Sequence, residues 1–273
     1  MKNKPPAAEQ GTPTPGAQAV RRAMSVLRVV AGGAPQQGLR LKDVVAQVGL
    51  NAATVHRLLR VLTEEGAVDY DPVARVYRGG KELFLFGLVQ QPGHFPIRQL
   101  AEPYTRRLAE ASGETVSLIV RGNTDTVILD RKMGTGPVQV LAVAVGARMP
   151  MGLASGGVAL LAGMPDAEAE EIMLANAKRY EARGTSVDKV RERVALARRQ
   201  GYAFADPGLH PGTRSVSVTI EGRAGTPVAA FAIAAIRYRM PPTRVPELVA
   251  IMREMARKVT ERLAVDRRGR PRG

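Results

Sequence analysis

The sequence contains no cysteine among its 273 residues, and only 4% of the residues are aromatic. The absence of cysteine excludes disulfide scaffolds, thiol nucleophiles and cysteine-ligated zinc or iron–sulfur sites. The three histidines, His56, His94 and His210, lack the i, i+4 spacing of a helical metal pair, so we predict no metal site and no cofactor. No run of about 18 apolar residues occurs, and Lys2 and Lys4 are not followed by an apolar segment. We therefore expect a cytoplasmic protein with no membrane partner.

Catalytic and nucleotide-binding motifs are also missing. Leu153 stands where the first glycine of a G-x-S-x-G nucleophile elbow is required, and residues 134–137 fit neither a phosphate-binding loop nor a dinucleotide fingerprint. Because no acid, base and nucleophile cluster together in a motif, the sequence predicts a protein that is not an enzyme.

Hydrophobic residues make up 45% of the chain, which is enough for sizeable cores in one large or two ordinary domains. The net charge of +15 is spread along the chain and does not single out its first 90 residues. A basic surface assists nonspecific association with DNA through counterion release. Net charge alone therefore does not predict specific DNA binding, which requires a recognition motif.

Such a motif lies between Leu41 and Leu62. Apolar residues fall on one face of a short helix around Val44 and on one face of a second helix around Val55, so the two helices can bury each other. Gly49 lies where the first helix must end, and Asn51 can cap the second helix by accepting a backbone hydrogen bond. The pattern predicts a helix-turn-helix whose small, polar second helix suits a DNA major groove. An ordinary helical hairpin with a solvated face is the alternative.

A β-hairpin is predicted directly after these helices. Residues 67–70 and 75–78 alternate like strands, and Asp71 and Pro72 lie in the turn between them. Arg75 and Arg78 would then project from a two-stranded wing and reach phosphate or the adjacent minor groove, unless they are solvated surface charges.

Taken together, these segments resemble the IclR family of transcriptional regulators. The resemblance is carried by the first helix (residues 19–30), Thr54-Val-His-Arg-Leu-Leu59, the wing end Tyr77-Arg-Gly-Gly80 and residues 108–116, 149–157 and 201–204. The segments follow the family's order over roughly residues 18 to 264. A helix-turn-helix alone is weakly specific, whereas this ordered set is strongly specific.

The chain is expected to have an α+β fold in five segments. Residues 1–17 are rich in Pro, Ala, Gly and Gln and predict a disordered arm, and residues 265–273 predict a basic tail. Residues 18–80 predict the winged helix-turn-helix domain and residues 81–96 a linker helix. Residues 97–264 predict an antiparallel sheet with flanking helices, which the resemblance implies to be a GAF-like effector-binding domain.

Within this second domain, the pattern predicts strands at residues 116–120, 126–130, 138–145, 215–221 and 227–236, and helices at residues 97–112, 156–162, 167–178, 187–200 and 246–264. Ser155 is expected to cap the helix that follows it. Gly156 and Gly157 either let a ligand approach backbone amides or merely pack against the sheet. A helix amino terminus favours anions, so a carboxylate could be held there.

The resemblance implies an effector pocket near this helix. Its predicted residues, including the capping serine, are Val138, Leu141, Met149, Ser155, Gly156, Gly157, Ala205, Thr213, Ser215, Ala232 and Ala234. Family members often have serines where Ala232 and Ala234 stand, and acidic residues where Ala205 and Pro207 stand. Fewer polar groups predict a flatter, more apolar ligand such as an aromatic acid. A small pocket filled by methionine and leucine side chains is the alternative.

The sequence therefore predicts a DNA-binding transcriptional regulator controlled by a small organic acid. As a homodimer or homotetramer it would read a palindromic operator in double-stranded DNA. The residues predicted to contact DNA are Asn51, Ala53, Thr54, His56, Arg57, Arg60, Arg75 and Arg78. The alternative function is a constitutive DNA-binding protein whose vestigial sensor domain serves only for oligomerisation.

Overall fold

The computed structural model of the chain describes residues 16–33, 37–83, 85, 97–141, 143–222 and 225–266. The chain divides into two compact units, Met1–Gln91 and Pro92–Gly273, here called unit 1 and unit 2. Most of the predicted arm and basic tail, and residues 84 and 86–96 of the predicted linker helix, lie outside the described residues. Residues 81–83 are helical, and Ala17, which was assigned to the arm, begins the first helix of unit 1.

Unit 1 begins with three helices, α1 (Ala17–Gly32), α2 (Leu41–Val48) and α3 (Ala52–Glu64). Gly49 ends α2 in the left-handed conformation (φ 71°), as the sequence predicts. Asn51 caps α3 as expected, because its side-chain Oδ1 accepts a hydrogen bond from the backbone N–H of Thr54 at 2.8 Å. The apolar faces of the three helices form one core, in which Val26, Val44, Val55 and Leu59 are fully buried.

A two-stranded antiparallel hairpin follows, with β1 (Val68–Asp71) and β2 (Val76–Gly79). The side chain of Asp71 shapes its turn by accepting hydrogen bonds from the backbone N–H groups of Val73 at 3.0 Å and Ala74 at 2.9 Å. Arg75 was predicted to begin the second strand but lies in the turn with a positive φ of 55°, and β2 begins one residue later. The turn that the Asp71 carboxylate caps therefore includes Arg75.

The centre of unit 2 is a six-stranded antiparallel sheet in the order β5-β4-β3-β8-β7-β6. Its strands are β3 (Thr115–Gly122), β4 (Asp125–Lys132), β5 (Arg148–Pro150), β6 (Ala203–Ala205), β7 (Thr213–Glu221) and β8 (Pro227–Ile236). Together with the helices around it, this sheet gives the α+β fold that the sequence predicts.

Helices cover both faces of the sheet, because successive side chains along its strands enter one core and then the other. One core contains α4 (Ile97–Ser112) and α9 (Val245–Asp266), which pack on side chains such as Leu118 and Phe231. The other contains α5 (Ser155–Ala162), α6 (Asp166–Ala175), α7 (Ala177–Glu181) and α8 (Val187–Gln200), and it includes Ile119. Neighbouring residues of β3 thus enter opposite cores, as strand geometry requires. Two short 3-10 helices, Arg237–Arg239 and Pro242–Arg244, lead into α9.

Two predicted elements differ from the structure. The described residues of segment 138–145 form no strand, and Val138 and Leu141 are 46% and 50% exposed. The side chain of Gln139 fixes the segment, because its Nε2 donates to the carbonyls of Gly113 at 3.0 Å and Gly136 at 2.9 Å. The helix predicted over residues 167–178 is broken at Asn176. This residue is fully buried, and its amide donates to the Thr124 carbonyl at 2.8 Å.

Candidate functional site

The exposed face of α3 is the first candidate site. Ala53, His56, Arg57 and Arg60 follow the i, i+3, i+4, i+7 spacing of one helix face and are all exposed, while Val55 and Leu59 are buried on the opposite side. Arg60 lies 3.5 Å from Glu64, but with exposures of 69% and 62% this pair is weak. The half-buried Thr54 lies at the edge of the face. A small, cationic helix face of this kind fits a major groove.

The two wing arginines differ in how strongly the hairpin holds them. Arg75 is exposed and forms no side-chain bond with any described residue. The guanidinium of Arg78 lies 3.1 Å from the carboxylate of Asp71. Hydrogen bonds from the Ala74 backbone and from Arg78 hold the pKa of Asp71 below its ordinary value, so this carboxylate stays charged. Arg75 is therefore the wing cation that is free to meet a phosphate, whereas Arg78 stabilises the wing.

The second candidate site is a cavity in unit 2, between the sheet and the amino-terminal end of α5. Its volume is about 80 Å³, several times the roughly 10–15 Å³ that holds one water molecule. The sheet contributes Thr115, Ser117 and Ile119 from β3, Thr126, Ile128 and Arg131 from β4, and Thr213, Arg214 and Ser215 from β7. Ala232 and Ala234 of β8 complete this floor.

The cavity exists because the middle of its floor carries short side chains. Ser117 pairs across the strands with Ala232, and Ala234 pairs with both Thr115 and Ser215. Larger side chains at the edge, from Ile119, Ile128 and Met149, form apolar walls. A flat ligand can thus lie over the alanines.

The glycines at the start of α5 are explained by close packing. A Cβ atom added to Gly156 would lie 2.3 Å from Cδ1 of Ile119, and one added to Gly157 would lie 2.6 Å from the backbone nitrogen of Gly152. Both glycines also line the cavity, and their backbone N–H groups have no hydrogen-bond acceptor in the described part of the chain. Close packing and unpaired amide donors therefore occur at the same two residues.

Ser155 does not cap α5, contrary to the sequence prediction. It is the first residue of the helix, and the residue before it, Ala154, makes no side-chain cap. The Ser155 hydroxyl instead lies 2.8 Å from the hydroxyl oxygens of both Ser215 and Ser217 on β7. The two serines of β7 bind this hydroxyl and draw it toward the sheet. Three hydroxyl donors share two contacts here, so one O–H is left without a partner in this cluster.

The cavity is more polar than the sequence predicts. Eight of its nineteen lining residues have hydroxyl or guanidinium side chains, and none is acidic. Arg214 is held by Asp206, whose carboxylate lies 2.7 Å from it and also accepts hydrogen bonds from Arg237. The hydrogen bonds from Arg214, then those from Arg237, lower the pKa of Asp206. Arg131 forms no ion pair with a described residue; its Nη1 donates to the Val143 carbonyl at 2.7 Å.

Eight of the eleven predicted effector residues line the cavity. These are Met149, Ser155, Gly156, Gly157, Thr213, Ser215, Ala232 and Ala234. Val138, Leu141 and Ala205 are not among the lining residues. Val140 and Val143 take the place of the first two, since the segment that carries them is a loop. The sequence prediction missed the cavity residues of β3 and β4. Strand alternation indicates Thr115, Ser117, Thr126 and Ile128, whereas Arg131 breaks that alternation.

Over its described residues, the chain has no group of three or more His, Asp or Glu side chains that could hold a metal ion. None of the helices in the same residues has the length and hydrophobicity needed to cross a membrane.

Comparison with known proteins finds family models that match segments of this chain and relatives that match nearly all of it. Residues 19–72 match the family model of the IclR helix-turn-helix domain, and residues 90–261 match that of the bacterial transcriptional regulator IclR C-terminal domain. The chain is 30% identical to the glycerol operon regulatory protein of Streptomyces coelicolor, over 92% of this chain and 98% of that protein. It is 26% identical to the transcriptional repressor IclR of Escherichia coli, over 95% of this chain and 94% of that protein.

Solved structures show the same fold. An IclR family transcriptional regulator from Brucella abortus is similar with a TM-score of 0.71 at 22% identity, covering 94% of this chain and 96% of its own. An IclR homolog from Microbacterium hydrocarbonoxydans, solved in complex with 4-hydroxybenzoate, is similar with a TM-score of 0.67 at 23% identity, covering 90% of this chain and 99% of its own.

Proposed function

Because this chain belongs to the IclR family of transcriptional regulators, we propose that a small organic acid binds in the cavity of unit 2 and controls its attachment to operator DNA. Members of this family are DNA-binding regulators and not enzymes.

The absence of acidic side chains from the cavity lining carries the proposal. A cavity lined by hydroxyl groups, two arginines and the free amides of Gly156 and Gly157 has an excess of hydrogen-bond donors and positive charge. The first turn of α5 adds the positive end of a helix dipole. One carboxylate oxygen can accept from these amides while the unpartnered hydroxyl of the serine cluster donates to the other.

The apolar walls favour an aromatic acid. Ile119, Ile128 and Met149 offer contacts to the faces and edge of a ring, and the small volume of about 80 Å³ favours one ring over two. The binding of 4-hydroxybenzoate by the similar protein from M. hydrocarbonoxydans supports this class of ligand.

The DNA contacts follow from the exposed face of α3. Thr54, His56 and Arg57 are assigned to base edges, with Asn51 and Ala53 beside them at the start of the helix. Arg60 and Arg75 are assigned to phosphates, and Arg78 contributes there while it holds Asp71. One short helix reads only a few base pairs, so a homodimer or homotetramer on a palindromic operator is proposed, acting in the cytoplasm.

The test is a thermal-shift titration of the full chain with a panel of aromatic and aliphatic acids, followed by gel-shift assays on its operator. A binding acid should raise the melting temperature and change operator affinity. Replacing Ala234 in the cavity floor, Ala234→Leu, should abolish the shift, whereas Ala182→Met at an exposed position should not. If no acid stabilises the wild type, the protein is a constitutive DNA-binding protein and the proposal is wrong.

A further inference from the structure

A bulge in β4 decides which side chain enters the cavity. Leu118 pairs with Asp130 and Ile119 pairs with Ile128, so Leu129 between them has no partner on β3. In a regular strand Ile128 and Asp130 would face the same side. The extra residue reverses the alternation, and Arg131 joins Ile128 at the cavity.

The bulge thus places the guanidinium of Arg131, and not the carboxylate of Asp130, in the cavity. Asp130 faces away from the cavity, where it lies 3.5 Å from Lys132, and Lys132 also lies 3.0 Å from Glu102 of α4. Without the bulge, a negative charge would stand in the cavity. With it, a positive charge stands there instead, and an anion is attracted.

Most of the hydrogen-bonding capacity of Arg131 is unused. A guanidinium has five N–H donors, and the contact with the Val143 carbonyl uses one of them. The second arginine of the lining, Arg214, is already paired with Asp206. Within the described residues, Arg131 is the cavity arginine that has no carboxylate partner.

Arg131 and the start of α5 lie at opposite ends of the cavity. Strand pairing aligns Arg131 with Ser117, Ser117 with Ala232, and Ala232 with Ser217. Three strand spacings separate the first and last of these residues, or ~14 Å between their backbones. Ser217 contacts Ser155 at 2.8 Å, so the first residue of α5 lies over the far end of this row. Gly156 and Gly157 lie nearer β3 and β4, since their added Cβ atoms would be 2.3 Å from Cδ1 of Ile119 and 3.2 Å from Cγ2 of Thr126. Thr126 and Arg131 of β4 pair with Arg121 and Ser117, which are four positions apart on β3, so ~13 Å along the strands separates Arg131 from the end of β4 near Gly157. The long arginine side chain reaches back across part of this distance.

We propose that Arg131 binds a second anionic group of the effector, at the end of the cavity opposite the amides of Gly156 and Gly157. The effector is then a dianion, with one carboxylate at the helix end and the other negative group at the guanidinium. This inference rests on the proposed function, to which it adds the number and the placement of charges on the ligand. Arg131 is accordingly a residue that determines specificity.

Matched acids test the inference by calorimetric titration of the full chain. One pair is benzoate and benzene-1,4-dicarboxylate, and the other is hexanoate and hexanedioate. Within at least one pair the wild type should bind the dicarboxylate about tenfold or more tightly, since a charged hydrogen bond is gained. Arg131→Met, which keeps an apolar stem, should lower the ratio of dicarboxylate to monocarboxylate affinity to about one and leave monocarboxylate affinity unchanged. Arg131→Lys should retain part of the preference.

Arg183→Met is the matched control, because it removes an exposed charge of unit 2 outside the cavity and should leave the preference intact. The ratio of the two affinities separates ligand binding from a structural role of Arg131 in holding the Val143 carbonyl, since a misplaced loop would weaken both acids alike. An equal loss for both acids, an unchanged ratio, or binding confined to monocarboxylates overturns the inference and leaves the proposed function standing. Failure of every acid in the wider panel overturns both.

Discussion

Replacing Gly157 by alanine tests whether the start of α5 is packed against backbone that cannot move. The new Cβ would lie 2.6 Å from the Gly152 nitrogen and 3.2 Å from Cα of Met151. Both atoms belong to the backbone, so relief requires a shift of the turn before the helix. Overpacking of this kind costs typically 1–3 kcal/mol, and about 1 kcal/mol returns because alanine is the better helix former. Because the two contacts are with backbone atoms, we expect the upper end of this cost, about 3 kcal/mol, and hence a net loss of about 2 kcal/mol.

Gly156→Ala provides the comparison within the same helix turn. Its Cβ would lie 2.3 Å from Cδ1 of Ile119, the end of a side chain that can rotate. The gain in helix propensity is similar, so the net change in stability should be within about 1 kcal/mol. Because Ile119 lines the cavity, however, its displacement should weaken binding of the effector.

Thermal unfolding of the full chain, monitored by calorimetry, measures the difference in stability between the two variants. For a unit of this size about 2 kcal/mol corresponds to a fall in melting temperature of roughly 4–8 °C, which is expected for Gly157→Ala alone. Equal melting temperatures for the two variants, or a more stable Gly157→Ala protein, would refute the packing argument and leave the unpaired amide as the reason for the second glycine.

Two further predictions concern charged residues. Arg57→Ala should weaken operator binding roughly tenfold or more in a gel-shift titration and reduce discrimination against mutated operators, whereas Arg183→Ala, which removes the same charge from unit 2, should leave both unchanged. Glu114→Gln should destabilise the chain by about 3 kcal/mol in urea unfolding, which is the low end for a broken buried pair. The carboxylate of Glu114 is 1% exposed and accepts hydrogen bonds from Arg239 at 2.8 Å and Arg244 at 2.9 Å, while both arginines stay about a quarter exposed. A loss below about 1 kcal/mol would mean that water compensates the two guanidinium groups.

The sequence predicts those elements whose pattern reflects burial on one face. Helices α4 and α8 were located to the residue, since their helical spacing reflects burial against a single core. Strand β8 was also located to the residue, although it is buried on both faces, because turn residues bound its continuous apolar run. Segment 138–145 also alternates, but its loop is fixed by the side chain of Gln139, and no periodicity encodes such long-range bonds. The break at Asn176 depends likewise on a carbonyl 52 positions away in the chain.

The candidate site was predictable to the extent that its residues follow regular strands. Ser215 of β7 and Ala232 and Ala234 of β8 could be placed on one face by alternation alone. Arg131 could not, because the bulge at Leu129 becomes visible only when the pairing of β3 with β4 is known. Ser155 looked like a cap because serine commonly caps helices, but two hydroxyl groups across the sheet compete for it.

The cavity and the loop after β4 share side chains, which gives ligand binding a local consequence. Thr115 donates to Oε1 of Gln139 at 2.9 Å, and Arg131 donates to the Val143 carbonyl at 2.7 Å, so two cavity residues hold Gln139 and Val143 of this loop. An anion bound to the unused N–H groups of Arg131 shares this guanidinium with the Val143 carbonyl. A ligand can shift a conformational equilibrium only through contacts that differ between its states. We therefore expect a bound ligand to change unit 2 first at this loop, where Val138 and Leu141 are exposed.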